Sequence, residues 1–140
     1  MNNKLKKVFW IFSTNVEIPS DIVGGILPAD KLGIKRVVFL HNDNVVNFLD
    51  LHCPKLIIIN KCLHSNIIKL AKYSRDNGIK VLSVFDDWHF KPTSEKQKKQ
   101  FYLNNLLAEN SDVIIVKSNE AGKIIQNNIE MNYCVIPDCL

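Results

Sequence analysis

Short apolar runs that end in clusters of polar residues dominate this sequence of 140 residues. In the clearest case, residues 81–85 form the run, and Asp86, Asp87, Trp88 and His89 follow it directly. Runs with little polar alternation are typical of parallel strands covered on both faces, and stretches with helical spacing lie between them. The pattern predicts an α/β protein, a single doubly wound, Rossmann-like three-layer sandwich with a mainly parallel sheet of about five or six strands.

Six segments have the composition of buried strands. They are residues 7–12, 36–40, 55–59, 79–85, 113–116 and 133–136. The first intervening helix is expected after Pro19, with Gly24, Gly25 and Pro28 breaking or kinking it and Gly33 ending it. In open α/β sheets the ligand binds outside the carboxyl ends of the strands, so the polar clusters mark the expected site.

Composition places the chain among ordinary globular proteins. It is 46% hydrophobic and 23% charged, which excludes a disordered or coiled-coil class, and its length suits one domain over residues 1–140. The four cysteines form no Cys-x-x-Cys pair and lack the dense spacing of a disulfide scaffold. The apolar stretch at residues 8–12 is shorter than a signal-peptide core. These features predict a cytoplasmic location, with at most peripheral contact at the inner membrane face.

The net charge of +4 comes with two local groups of lysines. The groups are Lys4, Lys6 and Lys7, and Lys91, Lys96, Lys98 and Lys99. Each is either a solvated surface or a weak contact with anionic lipid headgroups. Nucleic acid is not an expected partner, because aromatic residues do not interleave with the lysines as a stacking platform requires.

Asp86, Asp87 and His89 follow their strand directly. The two carboxylates have three possible roles: binding a divalent cation, binding ligand hydroxyls, or capping the next turn. No third carboxylate is close in sequence, so a metal site is the least favoured and none is predicted. His89 is either an acid-base group or a loop residue packed beside aromatic neighbours.

Polar residues also follow the first, third and fifth predicted strands. They are Ser13, Thr14 and Asn15, then Asn60 and Lys61, then Lys117 and Ser118. The first group stands where a dinucleotide-binding protein carries Gly-x-Gly-x-x-Gly, so no nicotinamide or flavin dinucleotide cofactor is expected. Lys117 and Ser118 precede a helix, where they either favour an anion or form an ordinary N-cap.

Four segments together resemble the N-terminal Rossmann-like domain of GT-B glycosyltransferases, especially the bacterial retaining enzymes of the glycosyltransferase group 1/family 4 type. They are residues 19–33, the strand at 56–61 with its helix to Gly78, residues 78–90 with Asp-Asp and an aromatic, and residues 111–118 followed by Val-Ile-Pro-Asp at 135–138. The likeness spans nearly the whole chain, and the order and spacing of the segments agree with it.

The resemblance implies the acceptor side of a nucleotide-sugar-dependent transfer site, acting on a glycan or lipid-linked acceptor of cell-surface polysaccharide. The expected pocket residues are Ser13, Thr14, Asn15, Asn60, Lys61, Asp86, Asp87, His89, Lys117 and Ser118. The sequence ends where the family's donor-binding domain begins, so we expect a hexosyltransferase-type half-domain. It would be inactive alone and would need a separate donor domain or a homo-oligomer.

The alternative is a non-catalytic flavodoxin-like binding or scaffold module. A phosphoacceptor receiver is disfavoured, because it needs an acidic pair after the first strand and an aspartate after the third. This chain has Ser13, Thr14 and Asn15 at the first position and Asn60 at the second, although Lys117 would suit a receiver.

Overall fold

The structure is a computed structural model that describes residues 6–14, 25–85 and 91–136. Its strands are β1 (Val8–Phe12), β2 (Lys35–Val38), β3 (Leu56–Asn60), β4 (Lys80–Val84), β5 (Val113–Val116) and β6 (Tyr133–Val135). Its helices are α1 (Leu27–Leu32), α2 (Val45–His52), α3 (Ser65–Asp76), α4 (Glu95–Glu109) and α5 (Asn119–Asn128). The predicted α/β class is confirmed, and each predicted strand overlaps an observed one.

All the strands run parallel in one sheet, in the order β2-β1-β3-β4-β5-β6. From β1 the chain moves outward to β2, returns past β1 to β3, and then continues outward to β6. The direction of winding therefore reverses between β1 and β3. This reversal is the topological switch point, beside which doubly wound proteins bind their ligands.

Alternating residues of β1 divide the core into two parts. Phe9 and Ile11 belong to the larger apolar cluster, into which residues of α2, α3, α4 and α5 pack. Trp10 and Phe12 belong to a smaller cluster on the opposite face, where Ala29 of α1 packs. Because successive strand side chains point to opposite faces, a strand buried on both sides must be apolar at every position, as β1 is.

Helix α1 covers the C-terminal part of the helix predicted between the first two strands. Pro28 stands in the first turn of Leu27–Leu32, and Ile26 before it already has helical backbone angles. Gly33 ends it with a φ of 70°, a left-handed conformation that glycine adopts at low cost. Pro19 and Gly24 lie outside the described residues.

Helix α4 carries three of the four lysines of the second group on solvent-exposed positions, and Lys91 precedes the helix. Lys96, Lys98 and Lys99 are exposed in its first half, while Leu103 and Leu107 are buried in the larger core cluster. This exposure fits either interpretation of the lysines. Among the helices that the structure describes, none combines the length and the apolar composition needed to cross a bilayer.

Candidate functional site

The carboxyl ends of the strands meet along one edge of the sheet, as the sequence predicts. The parallel register aligns Phe12 with Asn60, Asn60 with Val84, and Val84 with Ile115. The polar residues that follow β1, β3 and β5 therefore lie along a common rim. Those within the described ranges are Ser13, Thr14, Asn60, Lys61, Lys117 and Ser118.

Ser13 joins the loops on the two sides of the switch point. Its hydroxyl donates a hydrogen bond to the carbonyl oxygen of Lys61. The Ser13 hydroxyl oxygen also accepts a hydrogen bond from the backbone N–H of Leu63 at 3.4 Å. Since Ser13 is only 6% exposed, its hydroxyl holds the β1 and β3 loops together in this structure.

Lys61 has an unusual backbone conformation for a residue with a side chain. Its φ is 63°, in the left-handed region that costs a non-glycine residue about 1–2 kcal/mol. The turn begins directly after β3 and brings the Lys61 carbonyl to the Ser13 hydroxyl. Strained backbone of this kind persists where the surrounding structure fixes it, and it is concentrated at functional sites.

His64 is a rim residue that the sequence analysis did not single out. Its Nε2 lies 3.2 Å from the Ser13 carbonyl oxygen and 3.0 Å from the Phe39 carbonyl oxygen. Both partners are acceptors, so Nε2 carries the proton and Nδ1 is the acceptor nitrogen. Nδ1 is buried and has no hydrogen-bond partner among the described residues. His64 thus connects the ends of β1 and β2 to the N-cap of α3.

Gly25 lies against the same place from the chain that enters α1. A Cβ atom at Gly25 would stand 2.7 Å from the Phe12 ring and 2.9 Å from Asn60 Cγ. These separations are shorter than carbon atoms tolerate, so the backbone approaches β1 and β3 closely only because this residue is glycine. The sequence predicts only a helix-weakening role for Gly25, whereas in the structure it also packs at the switch point.

Gln100 connects α4 to the loop after β3. Its side-chain Nε2 donates to the Cys62 carbonyl oxygen at 2.8 Å and to Asn104 Oδ1 at 2.9 Å. Cys62 is fully buried, and this burial raises the pKa of its thiol to about 12. The thiol is therefore protonated near neutral pH and is not a nucleophile at this rim.

At the end of β5, Ser118 forms an ordinary helix cap. Its hydroxyl accepts from the backbone N–H of Ala121 at 3.1 Å, as the N-cap of α5. The cap interpretation of this segment is confirmed, and the anion interpretation stays a prediction. Lys117 precedes it and is partly buried.

The remaining candidate residues, Asn15, Asp86, Asp87 and His89, lie outside the described residues. The described part of β4 reaches the rim, because the backbone N–H of Phe85 donates to the Ile115 carbonyl oxygen at 3.0 Å. Within residues 6–14, 25–85 and 91–136, no group of three or more histidine, cysteine, aspartate or glutamate side chains is placed to hold a metal ion.

A separate depression of about 460 Å³ opens at the amino edge of the sheet. Arg75 and Asp112 line it, and their side chains form an ion pair at 3.5 Å. Asp112 also accepts from the backbone N–H of Val81 at 2.9 Å. These contacts join α3, β4 and β5, so Arg75 and Asp112 have structural partners.

In comparisons with known proteins, no family model matches the chain and no curated protein matches its sequence. The fold and the contacts at the rim are therefore the basis for a functional proposal.

Proposed function

We propose that this chain is the acceptor-binding domain of a nucleotide-sugar-dependent glycosyltransferase. The observation that carries the proposal is the linked switch point, where the Ser13 hydroxyl bonds to the Lys61 carbonyl and His64 bonds to the Ser13 carbonyl. These contacts fix a rim that includes a hydroxyl at Thr14 and an ammonium group at Lys61. Sugar hydroxyls both donate and accept hydrogen bonds, so a mixed set of this kind suits a glycan acceptor.

In the proposed reaction this domain binds and orients the acceptor, and the groups that stabilise the departing phosphates come from elsewhere. Glycosyl transfer passes through an oxocarbenium-like state, and the charge on the departing phosphates needs stabilising groups. We assign those groups to a donor-binding domain. The lysines that this chain places after β3 and β5 are Lys61 and Lys117. Holding an acceptor hydroxyl in place converts an encounter of two molecules into a step within one complex.

The strand order favours a second candidate function. The order of β2-β1-β3-β4-β5 is the flavodoxin-like one, in which a mononucleotide binds at the β1/β3 switch point. A non-catalytic module that binds such a phosphorylated ligand would use the same loops. The two candidates differ in ligand: a glycan or lipid-linked sugar for the transferase and a phosphorylated mononucleotide for the binding module.

Ligand-observed NMR and calorimetry with the purified chain test the proposal. The panel contains neutral mono- and oligosaccharides, a short-chain lipid-linked sugar, a nucleotide sugar and flavin mononucleotide. We expect saturable binding of a glycan or lipid-linked sugar. Lys61→Ala should weaken it about tenfold, or about 1.4 kcal/mol. The matched control is Lys55→Ala, which removes an exposed lysine at the start of β3, at the other end of that strand.

Failure of every sugar to bind would overturn the proposal. Binding of flavin mononucleotide alone, weakened by Lys61→Ala but not by Lys55→Ala, would establish the second candidate instead. Co-expression with a separately encoded donor domain then tests transfer itself, measured as release of nucleoside diphosphate in the presence of the acceptor found by NMR.

A further inference from the structure

Among the described residues, the outer edge of β6 has backbone groups that no other strand pairs with. On its inner side, the Asn132 carbonyl accepts from Ile114 N–H at 3.1 Å, and Ile136 N–H donates to the Val116 carbonyl at 2.8 Å. Backbone groups of successive strand residues point to alternate sides, so those of Tyr133 and Val135 point away from β5. In the described part of the chain, no strand pairs with this edge.

The two edges of the sheet differ in how they are protected. The opposite edge strand, β2, begins with the exposed residues Lys35 and Arg36, and Arg36 pairs with Asp30 at 3.0 Å. Charged side chains on an edge strand discourage pairing with another chain. Strand β6 has the sequence Tyr-Cys-Val, and the side chain of Ile136 that follows is 45% exposed. The β6 edge therefore lacks the protection that the β2 edge has.

The side chains of β6 leave this edge accessible. Tyr133 packs beneath α5 against Gly122, where a Cβ atom would overlap the Tyr133 ring. Tyr133 and Val135 both pack against the larger core cluster. Cys134 lies between them and is exposed, so it faces the opposite side of the sheet.

We propose that β6 pairs in an antiparallel manner with β6 of a second copy of this chain, about a two-fold axis at Cys134. This register places Tyr133 opposite Val135 of the partner subunit, an aromatic and β-branched pair of the kind that stabilises sheets. The outward backbone groups form about four hydrogen bonds. Within β6 no charged residue opposes another, and the edge is self-complementary, as a two-fold interface requires. The proposal is independent of the proposed function.

The register gives a direct test by disulfide cross-linking. Cys134 would face Cys134 of the partner subunit in a non-hydrogen-bonded pair, with Cα atoms about 4.5 Å apart. Disulfides need Cα separations of about 4.4–6.8 Å. With Cys53 and Cys139 replaced by serine, diamide should convert the chain to a covalent dimer, since it accepts the two electrons and two protons that the thiols release. Adding Cys134→Ser should abolish the dimer. A dimer that persists without Cys134, or none at all, would overturn the proposal.

A charge-swap experiment tests the same register without oxidation. In a dilution series by sedimentation velocity, the unmodified chain should form a reversible dimer, while Cys134→Lys and Cys134→Glu should each be monomeric. An equal mixture of the two variants should recover the dimer, because opposite charges then face each other. Cys53→Lys, a change at another exposed cysteine, should leave dimerisation unchanged. A monomeric unmodified chain, or a dimer of Cys134→Lys alone, would contradict the proposed interface.

Discussion

The Nε2 atom of His64 lies 3.0 Å from the carbonyl oxygen of Phe39, so a residue at the start of α3 holds the chain that leaves β2. The same nitrogen lies 3.2 Å from the Ser13 carbonyl oxygen, after β1. One imidazole therefore joins three elements at the switch point, and its position fixes two carbonyl groups that would otherwise need other partners.

Replacing His64 should loosen this rim. His64→Ala removes the donor shared by the Phe39 and Ser13 carbonyl oxygens, and we expect the free energy of unfolding to fall by about 1–3 kcal/mol. His64→Gln supplies an amide donor of similar reach and should recover much of that loss. Urea unfolding measures both, and Leu51→Ala is the control because Leu51 is 78% exposed and lies away from the rim. Equal losses for Leu51→Ala and His64→Ala would contradict this role.

Two buried serines should respond unequally to replacement. The Ser111 hydroxyl donates to the Leu107 carbonyl oxygen at 2.6 Å, so the 2.6 Å contact between Ser83 and Ser111 has Ser83 as the donor. Ser111→Ala leaves the fully buried Ser83 hydroxyl without an acceptor and should cost about 1–3 kcal/mol. Ser83→Ala leaves no such donor and should cost less.

The double variant completes that test. Adding Ser83→Ala to Ser111→Ala removes the unsatisfied hydroxyl, so the pair should cost less than the sum of the two single changes. Unfolding of all four chains by urea measures the coupling. Strict additivity would show that the two hydroxyls do not depend on each other.

The strands of the sheet could be predicted from sequence because each is identified by its own local composition. A run such as residues 113–116 is apolar at every position, and that composition identifies a strand covered on both faces whatever its neighbours are. The Ser118 cap was equally local, since its partner Ala121 is three residues away. The common rim followed from these strands, because parallel strands end at the same edge.

The contacts at the switch point were not predictable in the same way. His64 and Ser13 are 51 residues apart, and neither has a neighbour in sequence that indicates the other. Gly25 was interpreted from its low helix propensity, whereas its function depends on the distance to Phe12 and Asn60. Predicting either contact requires the strand order, because that order determines which loops lie next to each other. Periodicity alone does not determine the order.

Cysteine reactivity should follow burial. Burial raises the pKa of Cys62 to about 12, so at mildly alkaline pH this thiol remains protonated and closed to solvent. Iodoacetamide should therefore modify the exposed Cys53 and Cys134 well before Cys62 in the folded chain. Peptide mapping by mass spectrometry measures each site, and urea should remove the difference. Rapid native modification of Cys62 would contradict its buried position.

His52 should make stability depend on pH. Its ring lies 5.1 Å from that of Phe9 and 4.6 Å from that of Phe48. Burial lowers its pKa below the ordinary 6.5, and the positive charge of Lys35 lowers it further. The His52 imidazole therefore takes up a proton more readily in the unfolded chain than in the folded chain. The stabilisation is complete above pH 6.5 and is lost progressively as the pH falls below 6.5 toward the folded pKa.

Comparison with His52→Gln isolates this contribution from that of other titrating groups. The variant loses ring packing and should be less stable at every pH, but its stability should fall less than that of the unmodified chain when the pH drops through 6.5. Lys35→Gln should keep the packing and reduce the same dependence in part, because it removes the second cause of the shift. Urea unfolding on both sides of pH 6.5 measures the three chains. Parallel losses in all of them on acidification would show that His52 is not a source of the dependence.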